Sequence, residues 1–220
     1  EFYTKECQKN ELNIQRKIEN LMRMLLTKFM MINVGTEWNK EKRMQGQRDI
    51  MLDQEGIRLA ALTGKGMQDV PIDIAISSPL LRAKQTAQLV LANRAVPIIT
   101  DERIQEMSFG DWEGESIRDS KVVPQEFIDK FYHDPMHCIR PPHGETFPDV
   151  VKRTGAFFES LVKDGSYDKL NILVSTHGAA SRCLLSHFYE DKEDIWRGCV
   201  PPNCSVSIVD VTDGVGTVVE

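Results

Sequence analysis

From about residue 21 to the end, short apolar runs alternate with longer amphipathic stretches, and no other property of the sequence narrows its fold as much. Leu25 to Ile32 is mostly apolar and reads as a buried strand. Ile72 to Ile76 and Val96 to Ile99 read as shorter strands, and Leu170 to Val174 is a nearly unbroken apolar run. Helices are expected between them. Asp53 to Met67 has Ile57, Leu59 and Leu62 as apolar positions, with Leu52 just before it. Ser78-Pro79 opens a second helix to about Asn93, with serine as the cap and proline in the first turn. Pro124 to Tyr132, Glu145 to Val162 and His177 to about Phe188 follow. Cys204 to Val211 alternates like a strand and is expected to pair with Val215 to Val219 through Asp213-Gly214. Strands and helices in this order predict a three-layer α/β fold, a mostly parallel central sheet flanked by helices.

Residues 1 to 20 stand apart as a polar N-terminal appendage, with a helical stripe hinted at by Leu12, Ile14, Ile18 and Leu21, and residues 21 to 220 read as one domain. A net charge of -6 argues against general nucleic-acid affinity, although local donors can still bind anions. No apolar run is long enough to cross a bilayer, and the polar N-terminus does not resemble a signal peptide. The five cysteines (Cys7, Cys138, Cys183, Cys199 and Cys204) are scattered and form no CxxC pair. Reduced thiols in a cytoplasmic protein are the expectation, with no metal and no cofactor.

In sheets of this class ligands bind beyond the carboxyl ends of the strands. Two strand-to-helix junctions and one loop matter there. Ile76-Ser77-Ser78-Pro79-Leu80-Leu81-Arg82 places an arginine in the first turn of a helix whose N–H groups and dipole suit phosphate. A solvated surface arginine is the competing reading. Val174-Ser175-Thr176-His177-Gly178 sets a histidine at the end of an apolar strand, followed by a glycine that permits close approach. A hydrogen-bonded core histidine is the alternative there. The loop from Asp101 to Gly114 is rich in acids, glycines and aromatics; it is either a surface turn or the seat of a general acid.

Taken together these segments resemble the histidine phosphatase superfamily, the phosphoglycerate mutase-like family. The resemblance runs from about Thr36 to Glu220. It is carried by Thr36-Glu37-Trp38-Asn39, Arg43-Met44-Gln45-Gly46, Ser77-Ser78-Pro79 with Arg82-Ala83, Phe109-Gly110-Asp111-Trp112-Glu113-Gly114, and His177-Gly178. In that family a histidine attacks a phosphoryl group in line and becomes phosphohistidine. A glutamate protonates the leaving oxygen and then activates water. The resemblance implies Glu106 as the acid, Arg82 and His177 as catalytic phosphate ligands, and Asn39, Gln45 and Gly178 as pocket residues. It implies a small phosphorylated metabolite, or inorganic phosphate, as partner. The short stretch from Glu106 to His177 favours the phosphatase branch over mutases. Residues 123–143, which hold Phe127, Phe131 and Tyr132, are expected to form a lid insert that sets selectivity, with those rings serving as core.

The departure lies where the family carries Arg-His-Gly followed by Glu or Gln. An ungapped match sets Ile32, Asn33, Val34 and Gly35 on those positions, so the nucleophile position holds Asn33. A gapped match would use Met22-Arg23-Met24-Leu25-Leu26-Thr27 as the first strand and supplies no histidine either. An amide nitrogen has no available lone pair, so Asn33 cannot replace an imidazole. His143, in Pro141-Pro142-His143-Gly144-Glu145, is expected near the pocket rim. Three readings stay open: a phosphomonoesterase with impaired activity, or a phosphoglycerate mutase; a silent phosphate-ester-binding protein; and a scaffold, for instance of a homodimer.

Overall fold

The computed structural model describes residues 27–32, 36–197 and 203–219. Asn33, Cys7, Cys199 and the N-terminal appendage lie outside them. Six strands form one sheet: β1 (Thr27–Ile32), β2 (Ile74–Ser77), β3 (Ile98–Thr100), β4 (Asn171–Ser175), β5 (Val206–Thr212) and β6 (Val215–Val218). Their order is β3-β2-β4-β1-β5-β6. The first four in that order run parallel, while β5 is antiparallel to β1 and β6 to β5. The predicted α/β class and mostly parallel sheet are therefore what the chain adopts.

β4 shows why the fold needs three layers. Ile172 and Val174 enter one core with Phe157, Leu161, Leu184 and Leu185. Leu173 enters a second core with Met30, Ala75, Val90 and Leu91. All three β4 residues are fully buried, so a central strand whose side chains alternate must be covered on both faces. The described residues form six helices: α1 (Glu37–Lys40), α2 (Gln54–Gly66), α3 (Leu81–Leu91), α4 (Gln125–His133), α5 (Phe147–Lys163) and α6 (Gly178–Ser186); α5 and α6 supply the first of these cores and α3 the second. Asp53 caps α2 by accepting the Gly56 N–H at 2.6 Å. Thr146 and Asp149 form a capping box on α5.

Two expected boundaries shift for physical reasons. The helix expected from Ser78-Pro79 begins at Leu81, and its first N–H is capped from another loop, by Asp49 at 2.7 Å. Ser78 is engaged elsewhere, as the site shows. That helix also stops at Leu91, because Ala92 turns into the left-handed region at φ +50°. The 123–143 segment folds as α4 and a following 3₁₀ turn. Its Phe127 is buried with Phe109, Trp112, Phe147 and Trp196. No helix among the described residues is long and apolar enough to cross a membrane.

Candidate active site

The register of the parallel strands lines up their carboxyl ends. Ile32 and Ser77 both pair with Ser175, and Ser77 with Thr100, so the loops that follow start from one level. Arg82 rises there from the first turn of α3 and is buried at 2% exposure. Its fork is shared out. Nη2 donates to the Gly46 carbonyl and Nη1 to that of Arg48, both at 2.7 Å, while Nε donates to His177 Nδ1 at 3.2 Å.

That last contact fixes the histidine. Arginine can only donate, so Nδ1 of His177 must accept and the imidazole is neutral with its proton on Nε2. Nε2 in turn donates to Ser78 Oγ at 2.8 Å. Burial, then the charges of Arg82 and Arg153, hold the His177 pKa well below the usual imidazole value. His177 is also the N-cap residue of α6. Ser78 was expected to be a helix cap; its hydroxyl instead serves the histidine and accepts the Leu80 N–H at 3.3 Å.

Glu106 faces the same space from the loop between β3 and α4. Its Oε1 accepts the N–H groups of Met107 at 2.9 Å and Ala180 at 3.1 Å, and Oε2 that of Ala179 at 3.4 Å. The carboxylate thus sits on the positive end of α6. Glu113 ties this loop to the Gln45–Asp49 turn: its Oε1 accepts the Gln47 N–H at 2.9 Å and the Phe109 N–H at 3.2 Å. Asn39 turns Oδ1 to the Thr36 N–H at 2.8 Å. Gln45 Oε1 is buried without a hydrogen-bond partner among the described residues. Asn39, Gln45, Arg82, Glu106, His177 and Gly178 all line one cleft of about 520 Å³. Among the described residues no backbone crowds Gly178: a Cβ there would lie 3.8 Å from Glu106 Oε2, an ordinary contact.

A family model, histidine phosphatase superfamily (branch 1), matches residues 35–220. The chain belongs to the histidine phosphatase superfamily. It is 33% identical over 152 residues to the uncharacterized phosphatase PhoE of Bacillus subtilis, covering 69% of this chain and 71% of that one. It is 32% identical over 186 residues to a probable phosphoglycerate mutase, GpmB, of Yersinia pseudotuberculosis, covering 84% and 85%. A solved structure is also similar: phosphoserine phosphatase of Entamoeba histolytica, bearing a histidine-to-alanine substitution, in complex with phosphoserine. That match has a TM-score of 0.74 at 26% identity and covers 88% of this chain and 95% of that one.

The family match begins at Gly35, so Ile32, Asn33 and Val34 precede it. All five histidines of this chain fall among the described residues, and of them His177 alone lines the cleft. His143 points to solvent at 84% side-chain exposure and contacts Asp111 at 3.0 Å, so it does not line the cleft near whose rim it was expected. His137 pairs with Asp134 on the surface, His133 is exposed, and His187 meets the Val151 carbonyl at 3.0 Å. The outer wall is apolar: Phe109, Phe127, Ile128, Phe131, Tyr132 and Trp196. Phe127 and Phe131 therefore serve core and cleft at once, where sequence favoured core alone. Arg153 was not singled out from sequence; no motif marks it, because the carbonyls it binds belong to a 3₁₀ turn and the irregular chain after it.

Proposed function

We propose that this histidine phosphatase binds small phosphate monoesters in the cleft and lacks the nucleophile that would turn them over at the family's rate. The placement of its histidines carries this reading. In the family's chemistry one histidine attacks phosphorus and a second stabilises the phosphoryl oxygens. Here His177, hydrogen-bonded to Arg82 and Ser78, fits the second role, and no other histidine lines the cleft. The position where the first belongs is Asn33 in the ungapped match, and the described strand supports that match. β1 spans Thr27–Ile32, and Ile32 is level with Ser175, two residues before His177.

In this reading Arg82 supplies positive charge beside the phosphate, Gln45 supplies a polar group, and Glu106, whose carboxyl lies at the N-terminus of α6, acts as proton donor to the leaving oxygen. The aromatic wall favours an ester whose alcohol part is flat and apolar. The similar Entamoeba histolytica structure, a histidine-to-alanine mutant in complex with phosphoserine, supports ligand binding by a chain of this fold with a histidine replaced. In the same reading the protein works in the cytoplasm, its thiols reduced; Cys138, Cys183 and Cys204 are unpaired.

The test has two arms. Calorimetry with inorganic phosphate and phenyl phosphate should show binding to the unmodified chain. Hydrolysis of p-nitrophenyl phosphate should be absent from that chain and present in the double variant Asn33→His with Ile32→Arg. Equal turnover by the unmodified chain would sink the proposal, as would failure to bind either anion.

A further inference from the structure

Every N–H of the Arg153 guanidinium is committed to one irregular stretch and one carboxylate. Nη1 donates to the carbonyls of Arg103 and Gln105, both at 2.8 Å. Nη2 donates to the Glu106 carbonyl and to Glu145 Oε2, both at 3.0 Å, and Nε to Glu145 Oε1 at 2.9 Å. These account for all five donors that a guanidinium possesses. Glu145 then grips the far end of the same stretch. Its Oε2 accepts the Ser108 N–H at 2.9 Å, and its own N–H donates to the Ser108 carbonyl at 2.8 Å.

Three carbonyls converge on one point within four residues, Arg103 in a single 3₁₀ turn and Gln105 and Glu106 just after it, and their dipoles repel one another without a cation between them. A planar fork can bind several of them at once, whereas a lysine ammonium offers three donors from a single atom. Arg153 projects from α5, whose Val150, Thr154 and Phe157 are buried, so the core sets its position. The remaining carbonyl of the stretch, Ile104, accepts from Thr176 Oγ1 at 2.8 Å, and Gln47 Nε2 adds a second donor to the Glu106 carbonyl at 3.1 Å. The Glu106 side chain points the other way, to the first turn of α6. Residue 106 is therefore tied through its carbonyl to α5 and through its carboxylate to α6. Val150 of α5 and Ala179, Ala180 and Cys183 of α6 share one core.

We propose that Arg153 and Glu145 are positioning residues that hold the 103–108 segment so that the Glu106 carboxyl stays on the first turn of α6, facing the cleft. The proposal rests on reading Glu106 as the proton donor. The alternative is a pair that merely adds stability. The two differ in what the N–H groups of Met107, Ala179 and Ala180 report. In the intact site all three contact one carboxylate, so their NMR shifts should titrate together. The charged or ionisable groups around that carboxylate are Arg82 and His177 across the cleft, Arg153 and Glu145 behind it, Glu113 on its own loop, and Cys183 on α6.

The amide titration is run on the full chain and on Arg153→Met, Arg153→Lys and Glu145→Gln, each well below its melting temperature. Arg153→Met is expected to lose the common titration, with Ala179 and Ala180 separating from Met107. Arg153→Lys should recover melting temperature without recovering it, since charge returns but the fork does not. Glu145→Gln keeps shape and should weaken the coupling; it serves as the deciding variant should Arg153→Met fail to fold. A shared titration that persists in the folded variants overturns the proposal. Phosphate binding by the unmodified chain is measured alongside. Its absence with an intact shared titration would overturn the functional reading and leave the positioning pair standing.

Discussion

Gly46 is the position where one added carbon should do most damage. Its φ is +54°, in the left-handed region, and a Cβ built there meets the Glu113 carboxylate, with Cδ at 2.5 Å and Cγ at 2.8 Å. Gly46→Ala therefore faces a backbone cost of about 1–2 kcal/mol. Glu113 must also move, and its carboxylate accepts from the Gln47 and Phe109 N–H groups in a side chain only 8% exposed. Losing hydrogen bonds to an ionised acceptor costs about 1.5–3 kcal/mol each, and they need not all break, so the total is about 3–5 kcal/mol. For a chain of this length each kcal/mol lowers the melting temperature by about 2–4 °C, which puts the expected fall near 10 °C. The Gly46 carbonyl is also an anchor of Arg82, at 2.7 Å, so phosphate affinity should drop with stability. Gly66→Ala is the control: nothing lies within 4 Å of its added Cβ, and it ends α2, so a gain of about 0.5–1 kcal/mol is expected. Calorimetric melting of both variants decides the matter. A Gly46→Ala protein that melts within about 2 °C of its parent and binds phosphate equally well would refute the reasoning.

Three further outcomes are expected. His177 is buried and neutral, with its pKa held below the usual value by burial, Arg82 and Arg153. The unfolded chain protonates this histidine first as pH falls through about 6.5, so stability should decline below that pH by up to about 1.4 kcal/mol per unit. Burial lowers the pKa of His187 as well, in the same sense, so urea midpoints at pH 7 and pH 5.5 should differ, and differ less in His177→Gln. Ser78→Ala strands the Nε2–H of His177 in a buried site and should cost about 1–3 kcal/mol, read as a lower urea midpoint at pH 7.5; an unchanged midpoint would mean that the hydroxyl is not its acceptor. If the aromatic wall contacts the ester, phenyl phosphate should bind about tenfold tighter than glycerol 3-phosphate, a difference of about 1.4 kcal/mol. Tyr132→Ala should narrow that gap, and equal affinities in the parent would remove the wall from the binding site.

The strands were legible because burial on both faces leaves a run such as Ile172-Leu173-Val174 with no room for polar residues. Arg82 and His177 stood out because each sits at a strand-to-helix junction; composition marked the loop that holds Glu106, and only the family resemblance picked that glutamate from it. Side chains with two possible uses were harder. Ser78 has the sequence of a helix cap, and only the position of His177, 99 residues away, diverts its hydroxyl. Phe131 packs against Phe147 and Trp196 while lining the cleft, and an aromatic residue on a helix carries no local sign of both. Arg153 and Glu145 could not be found at all. Their partners are backbone carbonyls and an amide whose directions follow from tertiary structure, and backbone groups are the same in every sequence.

The contacts that hold the pocket also bear on how a first strand could diverge without the rest of the site following. Arg82 is anchored on the carbonyls of Gly46 and Arg48, His177 on Arg82 and Ser78, and Glu106 on α6 and Arg153. None of these contacts uses a residue of β1 or of the segment from Ile32 to Gly35. The demands on β1 are of another kind: it must pair in parallel with β4 and antiparallel with β5, which backbone groups satisfy whatever the side chains, and supply Met30 to the core. On the proposed reading, Ile32 and Asn33 in place of Arg-His remove chemistry while the contacts just named stay in place. On that reading, a family member altered at that point alone keeps its anion site. On the proposed reading, restoring two side chains there should return turnover without any compensating change elsewhere.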